Sequence, residues 1–508
     1  MSVKSRRRAK AALARAGARC AVLEPPRKRR AARVEAPPQV APVPVPNTEF
    51  TGRRIHFMGA GGIGVSALME LCVARGAKVT GCDCSCGGQV PALRAKGLLI
   101  DNDHSPAHVA ACDELVYTAA VDATHPEVRE ALRAGKRVST RMHMLGRIAR
   151  GTRAICVTGA HGKTTTTWLI AHMLILAGRD PSVLLGGVAR PLGSNVRIGQ
   201  GAEFVAETDE SDNRLHEVVP TIPVLTNIDN DHLEHYGSLY AIEEAAARFM
   251  SATHAGDPLS VLVGCGDDIR VLRVLADASA NCRRPFLAYG VLPHCDVYGM
   301  NVRSEGLSSR FDVLTPSALW QDVVLPMPGQ HNVLNALAAI SVGWHLGLDE
   351  ECIRRALATV ERVGRRFEVK GVRRGVRVVD DYGHHPSEIE VTLRAARAST
   401  AGRLGVVFQP HRYTRTAALL DQFATCFKDA DAVFLLPVYA ASEQPIAGAD
   451  HHALAAAMRK LGRPQVGVAS GRAEAVGMVL KWAEAGDTIV TQGAGDVTRA
   501  ADELVAGL

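Results

Sequence analysis

The sequence predicts an α/β protein of three domains built on mainly parallel sheets. Short apolar runs, typical of buried strands, alternate with longer helix-like segments along residues 48–508. Two of these runs lead directly into a glycine-rich turn that begins a helix, at Gly59–Gly64 and at Gly159–Thr164. Polar residues also gather where the apolar runs end, which is where open α/β sheets bind their ligands.

Composition excludes several classes of protein. The chain has 508 residues, of which 47% are hydrophobic and 22% charged, so it can form two to four domains with proper cores. It has no unbroken apolar segment long enough to cross a bilayer, and we expect a cytoplasmic protein. The twelve cysteines are scattered, mostly inside apolar runs, which favours reduced thiols. Cysteines 82, 84 and 86 alternate and lack the paired spacing of structural zinc, so this run predicts no metal site.

Residues 1–47 form a basic, proline-rich tail. They hold twelve Lys or Arg and two Glu, so the tail carries +10 and the remaining chain −3. With few large apolar residues, the tail is predicted to be disordered. It could contact nucleic acid, anionic lipid or an acidic partner, but a transit peptide would carry more serine. We expect a dispensable solvated tail and no nucleic-acid binding.

The first predicted domain, residues 48–150, begins with a nucleotide-binding pattern. The strand Arg54–Met58 is followed by the G-x-G-x-x-G turn Gly59–Gly64 and the helix Val65–Ala74. A second strand, Ala77–Gly81, ends near Asp83, where an acidic side chain often meets a ribose hydroxyl. Taken alone, the pattern suggests NAD, although any diphosphate-bearing nucleotide can bind at that helix N-terminus. A glycine-rich tight turn without a ligand would look similar, but we expect a ligand here.

The second predicted domain, residues 151–327, contains a phosphate-binding loop. The apolar run Arg153–Val157 precedes Gly159–Thr164, and the helix-like run Thr165–Leu176 follows. In such a loop the backbone N–H groups bind phosphate, Lys163 adds a charge at the terminal phosphates and Thr164 ligates Mg²⁺. Only two residues separate the glycines, which makes this a short variant. The loop predicts a nucleoside triphosphate.

Two acidic segments follow predicted strands in the same domain. Phe204–Ala206 leads into Glu207–Asp212, and Val224–Ile228 leads into Asp229–His232. Carboxylates at a strand end beside a phosphate loop are where a Mg²⁺ ligand is expected. The alternative is a pair of polar loops with a helix cap.

The third predicted domain, residues 328–508, repeats this pattern of polar strand ends. The segment 327–332 leads into the helix-like Val333–Val342, and Asp380–Pro386 carries two acids and two histidines. The strand Leu404–Phe408 ends in Gln409–Arg415, whose arginines and histidine suit an anion. A surface loop would explain any one of these segments, but their repetition favours a binding site.

Together these motifs resemble the Mur ligase family over about residues 50–508. Within the family they are most similar to the branch that adds L-alanine. The resemblance rests on nine ordered segments, namely residues 59–64, 159–167, 207–212, 226–232, 328–335, 380–386, 408–416, 438–450 and 492–496.

The resemblance implies a Rossmann-like N-terminal domain, a central P-loop ATPase-like domain with a parallel sheet and a Rossmann-like C-terminal domain. It implies a cytoplasmic monomer or homodimer that uses ATP and Mg²⁺ to join L-alanine to UDP-N-acetylmuramate through an acyl-phosphate. This is the first amino-acid addition in peptidoglycan precursor synthesis. The alternative is a relative that joins a recycled cell-wall tripeptide to the same UDP-sugar. A dehydrogenase would leave the Gly-Lys-Thr loop without a function.

Site residues follow from the resemblance in four groups. Those implied for ATP are Gly159, Ala160, His161, Gly162, Lys163, Thr164, Thr165, His331, Asn332 and Arg366. Those implied for the UDP-sugar are Gly59, Gly61, Gly62, Gly64, Asp83 and Ser211. Those implied for the metal are Thr164, Glu207 and His232. Those implied for catalysis are Lys163, Asp381, His384 and Arg412, with Tyr382, His411 and Arg415 at the acyl-phosphate and the amino acid.

The implied chemistry leaves one role open, and the chain departs from the family pattern at Ala160 and in its basic N-terminal tail. The amine must lose a proton, and either His384 or Asp381 could accept it, the histidine because imidazole ordinarily titrates near neutrality. No lysine occurs between Lys163 and Lys370, so the carbamylated lysine that other branches use is excluded. The metal charge must be met by Glu207 and His232, or by carboxylates nearby, which agrees with the alanine-adding branch. Ala160 stands where the family usually has threonine, with a modest effect expected on ATP affinity.

Overall fold

The computed structural model describes residues 48–84, 87–118, 121–209, 214–230, 236–253, 257–441, 443–462 and 465–508. The predicted disordered tail lies outside these residues. The described strands form three sheets.

The first sheet has five parallel strands in the order β3-β2-β1-β4-β5. The strands are β1 (Arg54–Met58), β2 (Lys78–Cys82), β3 (Leu99–Asp101), β4 (Glu114–Tyr117) and β5 (Arg137–Thr140). The helices are α1 (Ile63–Ala74), α2 (Val90–Ala95), α3 (Pro126–Arg133) and α4 (Arg141–Ala149). The strand order reverses between β1 and β4, and nucleotides bind at such a switch point. The glycine turn after β1 lies there.

The second sheet has ten strands in the order β15-β14-β13-β12-β11-β10-β6-β9-β7-β8. They are β6 (Arg153–Thr158), β7 (Ser182–Ala189), β8 (Ser194–Arg197), β9 (Glu203–Glu207), β10 (Ile222–Leu225), β11 (Leu262–Cys265), β12 (Phe286–Gly290), β13 (Val297–Glu305), β14 (Ser308–Leu314) and β15 (Leu319–Leu325). Strands β8, β14 and β15 are antiparallel to their neighbours. The helices are α5 (Lys163–Leu176), α6 (Leu239–Ser251), α7 (Ile269–Cys282), α8 (Gln330–His345) and α9 (Glu350–Thr359), and α8 packs along α5.

The third sheet has six strands in the order β16-β17-β21-β18-β19-β20, and β16 is antiparallel to β17. They are β16 (Glu368–Arg373), β17 (Val376–Asp381), β18 (Leu404–Phe408), β19 (Ala432–Leu435), β20 (Val466–Val468) and β21 (Thr488–Gln492). The helices are α10 (Pro386–Ala398), α11 (Tyr413–Ala418), α12 (Leu420–Thr425), α13 (His451–Lys460), α14 (Arg472–Trp482) and α15 (Thr498–Gly507). The predicted α/β class with parallel sheets is confirmed, whereas the domain boundaries stay predictions.

One predicted strand ends earlier than its apolar pattern suggests. The pattern extends to Ile228, but β10 ends at Leu225. The next two residues instead bond to the phosphate loop, since Thr226 Oγ1 and Asn227 Nδ2 donate to the carbonyl of His161 at 2.7 and 3.0 Å. Thr226 N still donates to the carbonyl of Thr158 on β6 at 3.0 Å, and beyond it the chain bonds to the loop and no longer continues the strand.

Large apolar side chains on central strands form the cores. Phe57, Phe204 and Phe408 lie on β1, β9 and β18 and have no exposed surface. Burying each contributes about 1.5–3 kcal/mol. The ten cysteines within the described residues are free thiols, as predicted. Among the described helices, none is both long and apolar enough to cross a membrane.

Candidate active site

The phosphate loop joins β6 to α5 and has a backbone that requires glycine at two positions. Gly159 and Gly162 have φ angles of 122° and 80°, in the region that L-residues with a side chain rarely adopt. A Cβ atom at Gly162 would also collide with Oδ1 of Asn335. Lys163 Nζ donates to the carbonyls of Gly159 and Ala160 at 2.7 and 3.1 Å. The lysine thus lies over its own loop, where a phosphate would be held.

Neighbouring elements hold the loop in place. The N–H groups of Ala160 and His161 donate to the carbonyl and side-chain oxygens of Asn227 at 3.3 and 2.8 Å. On the other side, Thr166 Oγ1 donates to Asn335 Oδ1 at 3.2 Å. The sequence analysis did not single out Asn227 or Asn335, although each lies in a segment that the resemblance includes.

His161 of the phosphate loop forms ion pairs with two carboxylates, one of which lies on helix α10. Its Nε2 donates to Asp229 Oδ2 at 2.8 Å, and its Nδ1 lies 3.3 Å from Glu388 Oε1. Ser387 Oγ donates to the same oxygen of Asp229 at 2.8 Å. Burial alone would lower the pKa of His161, but the two carboxylates outweigh burial and raise that pKa to about 10. His161 is therefore an imidazolium ion at neutral pH.

This ion pair predicts a pH-dependent stability. Burial raises the pKa values of Asp229 and Glu388, but their bonds to His161 dominate and leave both values lowered. The raised pKa of His161 contributes stability that is complete below its unfolded value and is lost as pH rises toward 10. The lowered carboxyl pKa values contribute stability that is lost in acid. Near pH 6, the unfolding free energy of the wild type should thus exceed that of His161→Gln by about 2 kcal/mol. This value lies between the contributions of typical exposed and typical buried ion pairs.

Denaturant unfolding at several pH values would measure this difference. A matched control is His172→Gln, which changes a histidine on the outer part of α5 whose Nε2 lies 3.4 Å from Thr359 Oγ1. A difference between wild type and His161→Gln that stays constant from pH 5 to pH 10 would contradict the assigned charge.

A cavity of about 360 Å³ lies between the loop and the segment 327–392. Its wall includes His161, Thr165, His331, Asn332, Arg366 and Asp381. Inside it, Nδ1 of His331 is buried without a hydrogen-bond partner among the described residues, and burial lowers the pKa of His331 to about 4. A neutral imidazole with an unsatisfied nitrogen suits a polar heterocycle. The volume and lining are those of a small-molecule site.

Arg366 joins the phosphate loop to the third sheet. Its Nη2 donates to Thr164 Oγ1 at 3.2 Å, and its guanidinium carbon lies 5.1 Å from the ring centroid of Tyr382. The ring of His384 is 5.4 Å from that of Tyr382 and 5.5 Å from that of His411. The structure thus brings together five predicted site residues from two parts of the chain.

Asp381 and His384 make different hydrogen bonds. Oδ1 of Asp381 accepts from Gly383 N, Thr392 Oγ1 and Gln492 Nε2, and Oδ2 accepts from Phe367 N, at distances of 2.8–3.2 Å. The residue is 7% exposed. In contrast, Nδ1 of His384 lies 3.2 Å from the carbonyl of Tyr382, which orients the opposite ring nitrogen as the acceptor. Asp381 thus shapes the site through four hydrogen bonds.

His411 lies in a positively charged environment beside two predicted arginines. Burial and then the charges of His384, Arg415 and Arg412 lower its pKa to about 3. Tyr439, which the sequence analysis did not single out, stacks on the His411 ring at 5.5 Å and 9°. The backbone N–H of Arg412 donates to the carbonyl of Tyr439 at 2.9 Å. A neutral His411 among cations favours an anion here.

The metal ligands implied for the second domain are only partly described. Glu207 ends β9, and its Oε2 accepts from Gly186 N at 2.7 Å. A Cβ at Gly186 would meet the Glu207 carboxylate, and one at Gly187 would meet Thr164, so the same stretch of β7 borders both side chains. Carboxylate and hydroxyl oxygens are the donors that Mg²⁺ prefers. His232 lies outside the described residues.

The glycine turn of the first domain is held by two charged residues. The N–H of Gly61 donates to Asp83 Oδ2 at 2.8 Å. Arg141, at the start of α4, borders Gly64 and lies 3.6 Å from Asp209 Oδ2 in the second domain. This arginine, which the sequence analysis missed, adds positive charge beside the turn. Ser211 lies outside the described residues.

Three family models match the chain in order. Residues 54–153 match the catalytic domain of the Mur ligase family, residues 157–343 the Mur ligase middle domain and residues 365–495 the glutamate ligase domain of Mur ligases. The UDP-N-acetylmuramate–L-alanine ligase of Stenotrophomonas maltophilia strain K279a is 41% identical over 460 residues, which cover 89% of this chain and 94% of that protein. The chain belongs to the Mur ligase family.

Two further comparisons agree with this placement among the Mur ligases. The UDP-N-acetylmuramate–L-alanine ligase of Allorhizobium ampelinum is 39% identical, over 89% of this chain and 96% of that protein. The crystal structure of the UDP-N-acetylmuramate-alanine ligase from Thermotoga maritima matches with a TM-score of 0.75 and 27% identity, over 89% of this chain and 98% of that one. The family predicted from the sequence is confirmed.

Proposed function

We propose that this Mur ligase joins L-alanine to UDP-N-acetylmuramate with hydrolysis of ATP to ADP and phosphate. The observation that carries the proposal is the cavity of about 360 Å³, which the phosphate loop and residues near β17 and α10 line together. A nucleotide on the loop would direct its terminal phosphate toward the row formed by Arg366, Tyr382 and His384. Relatives of about 40% identity that bear the name of this activity support it.

The chain's residues suit the first step, which transfers the γ-phosphoryl group of ATP to the muramate carboxylate. A carboxylate is a poor electrophile, and phosphorylation turns its oxygen into a leaving group. The transition state needs positive charge around the transferred group. Lys163 supplies such a charge inside the loop. Arg366 supplies a second charge beside the hydroxyl of Thr164. Arg412 and Arg415, beside the neutral His411, would stabilise the acyl-phosphate.

A magnesium ion would be held by Thr164 and Glu207, with His232 as the third predicted ligand. The carboxylate of Glu207 and the hydroxyl of Thr164 offer the hard oxygen donors that this ion requires. When bound, Mg²⁺ neutralises charge on the β- and γ-phosphates.

The second step is attack of the L-alanine amine on the acyl-phosphate, which forms the amide bond and expels phosphate. One amine proton must leave as the bond forms. We assign its acceptance to His384, because both carboxylate oxygens of Asp381 already accept hydrogen bonds. The diphosphate of the UDP-sugar would lie on the turn Gly59–Gly64, with Arg141 beside it.

A substitution at Ala160 would show how much of the phosphate binding comes from the backbone of the loop. In Ala160→Thr we expect the KM for ATP to change by less than about fivefold, because a typical hydrogen bond to an added hydroxyl contributes a net of about 1 kcal/mol. Steady-state phosphate release at varied ATP measures this. A gain of several orders of magnitude in turnover would contradict the backbone role of the loop.

The proposed function is tested by phosphate release from the purified protein with ATP, Mg²⁺, UDP-N-acetylmuramate and L-alanine. Each component is omitted in turn, and the recycled tripeptide replaces L-alanine in a parallel series. Release that requires all four components supports the proposal, and mass spectrometry should show the L-alanyl product. Release with the tripeptide but not with L-alanine would indicate the recycling reaction. ATP hydrolysis that does not require the UDP-sugar would refute both reactions. Glycine and L-serine in the same assay determine amino-acid preference.

A further inference from the structure

Four potential metal ligands from four elements meet in the first domain, outside the candidate active site. They are His56 on β1, Cys82 at the end of β2, His108 in the 3-10 helix Pro106–Ala111 and Glu127 in the first turn of α3. One donor atom from each lies within 4.8 Å of the others. Cys82 and Glu127 have no exposed surface, and His56 is 2% exposed. The sequence spacing gave no sign of this cluster because its members are up to 71 residues apart.

The distances between the donor atoms are close to those around a tetrahedral ion. His56 Nε2 lies 3.3 Å from both Cys82 Sγ and Glu127 Oε1. Cys82 Sγ is 3.8 Å from Glu127 Oε1, and His108 Nδ1 is 3.0 Å from that oxygen. Zinc bonds of about 2.0–2.3 Å in a tetrahedron place neighbouring donors roughly 3.3–3.8 Å apart. Small shifts of the side chains would therefore suffice to enclose an ion.

Both imidazoles are also oriented as metal ligands usually are. His56 Nδ1 lies 2.8 Å from Thr80 Oγ1, and His108 Nε2 lies 3.3 Å from Asp101 Oδ2. In metal sites the second nitrogen of a ligating histidine is commonly held by such a partner, which turns the first nitrogen toward the ion. Here the opposite nitrogen of His56 faces Cys82 and Glu127, and that of His108 faces Glu127. A fifth side chain, His104, places Nδ1 3.0 Å from Cys82 Sγ.

The four side chains can balance the charge of a divalent ion. Such an ion would displace the thiol proton of Cys82 into solvent, as coordination does for thiols generally. One thiolate and the carboxylate of Glu127 would then neutralise its charge, and the imidazoles would bind it in their neutral form. The buried site would carry no net charge.

We propose that His56, Cys82, His108 and Glu127 form a structural site for zinc or a similar divalent transition-metal ion. The mixed nitrogen, sulfur and oxygen donor set suits zinc and excludes magnesium and calcium, which require oxygen ligands. The ion would join β1, β2, the segment 106–111 and α3. It would also fix Cys82 next to Asp83, which holds the glycine turn through Gly61.

The test uses the full-length protein, which is treated with a chelator and then titrated with Co²⁺ in the presence of excess Mg²⁺. We expect about one equivalent of Co²⁺ to bind, with the visible bands of tetrahedral cobalt and a thiolate-to-cobalt charge-transfer band. Zn²⁺ should displace the cobalt and raise the Tm of the stripped protein. Absence of the charge-transfer band, or a Tm of the stripped protein that does not change when Zn²⁺ is added, would overturn the proposal. Neither result depends on ligase activity, so this test and that of the proposed function fail independently.

Three variants make the assignment specific. Cys82→Ser should lose the charge-transfer band. Asp101→Asn, at a side chain that is 56% exposed and thus safe for folding, should weaken Co²⁺ binding by about 10–100-fold. The matched control is Cys72→Ser, a buried cysteine of the same domain whose Sγ contacts Met144 Sδ at 3.8 Å. A band that survives in Cys82→Ser or disappears in Cys72→Ser would overturn the site.

Discussion

Lys163→Met should release phosphate about 10²–10³-fold more slowly than the wild type, with the loss in kcat. The ammonium group now donates to the carbonyls of Gly159 and Ala160, so it lies where the terminal phosphates of ATP would enter. Methionine keeps much of the apolar length but removes the charge that the transition state requires. The measurement is phosphate release at saturating ATP, UDP-N-acetylmuramate and L-alanine.

The control for this variant is Lys428→Met, which removes a lysine that is 51% exposed and paired with Glu390 on the third sheet's outer surface. It should keep the wild-type rate, because exposed ion pairs contribute little. Thermal unfolding shows whether Lys163→Met is folded. A folded Lys163→Met protein with undiminished kcat would show that Lys163 does not take part in phosphoryl transfer.

The features that the sequence predicts well are those set by adjacent residues. Strand β1, the phosphate loop and helix α5 follow from apolar runs, glycines and a Gly-Lys-Thr motif within a few positions. Their hydrogen bonds form largely within one turn or between neighbouring parallel strands. Local pattern therefore predicted both the fold class and the elements that surround the cavity.

The features that the sequence does not predict depend on contacts between distant elements. Ser387 and Asp229 are 158 positions apart, yet they share a hydrogen bond beside His161. Nothing in the local pattern around Glu388 distinguishes it from an ordinary acidic residue in the first turn of a helix. The same applies to Arg141, which borders the glycine turn from another helix. Such residues become visible only when the packing of the sheets is known.

His384→Gln should slow amide formation by about 10²–10⁴-fold, the usual contribution of a general base. Nδ1 of His384 lies close to the carbonyl of Tyr382, so the opposite nitrogen is the one that can accept the amine proton. The row of Arg366, Tyr382 and His384 extends from Thr164, so under the proposed function this nitrogen would lie between the nucleotide and the amino acid. The assay follows L-alanyl product with ATP and UDP-N-acetylmuramate present.

Replacing L-alanine by hydroxylamine separates proton transfer from acyl-phosphate formation. Hydroxylamine is already neutral at neutral pH and attacks an acyl-phosphate without a catalytic base, its proton passing to water, to give a hydroxamate. His384→Gln should therefore form hydroxamate at nearly the wild-type rate. The control is His452→Gln, at an exposed histidine on α13 of the same sheet, which should leave both reactions unchanged. If His384→Gln loses hydroxamate and amide formation equally, His384 acts before the amine attacks. The proton must then pass to another group, and Asp381, whose carboxylate already accepts four hydrogen bonds, could accept it only after the loop 381–383 rearranges.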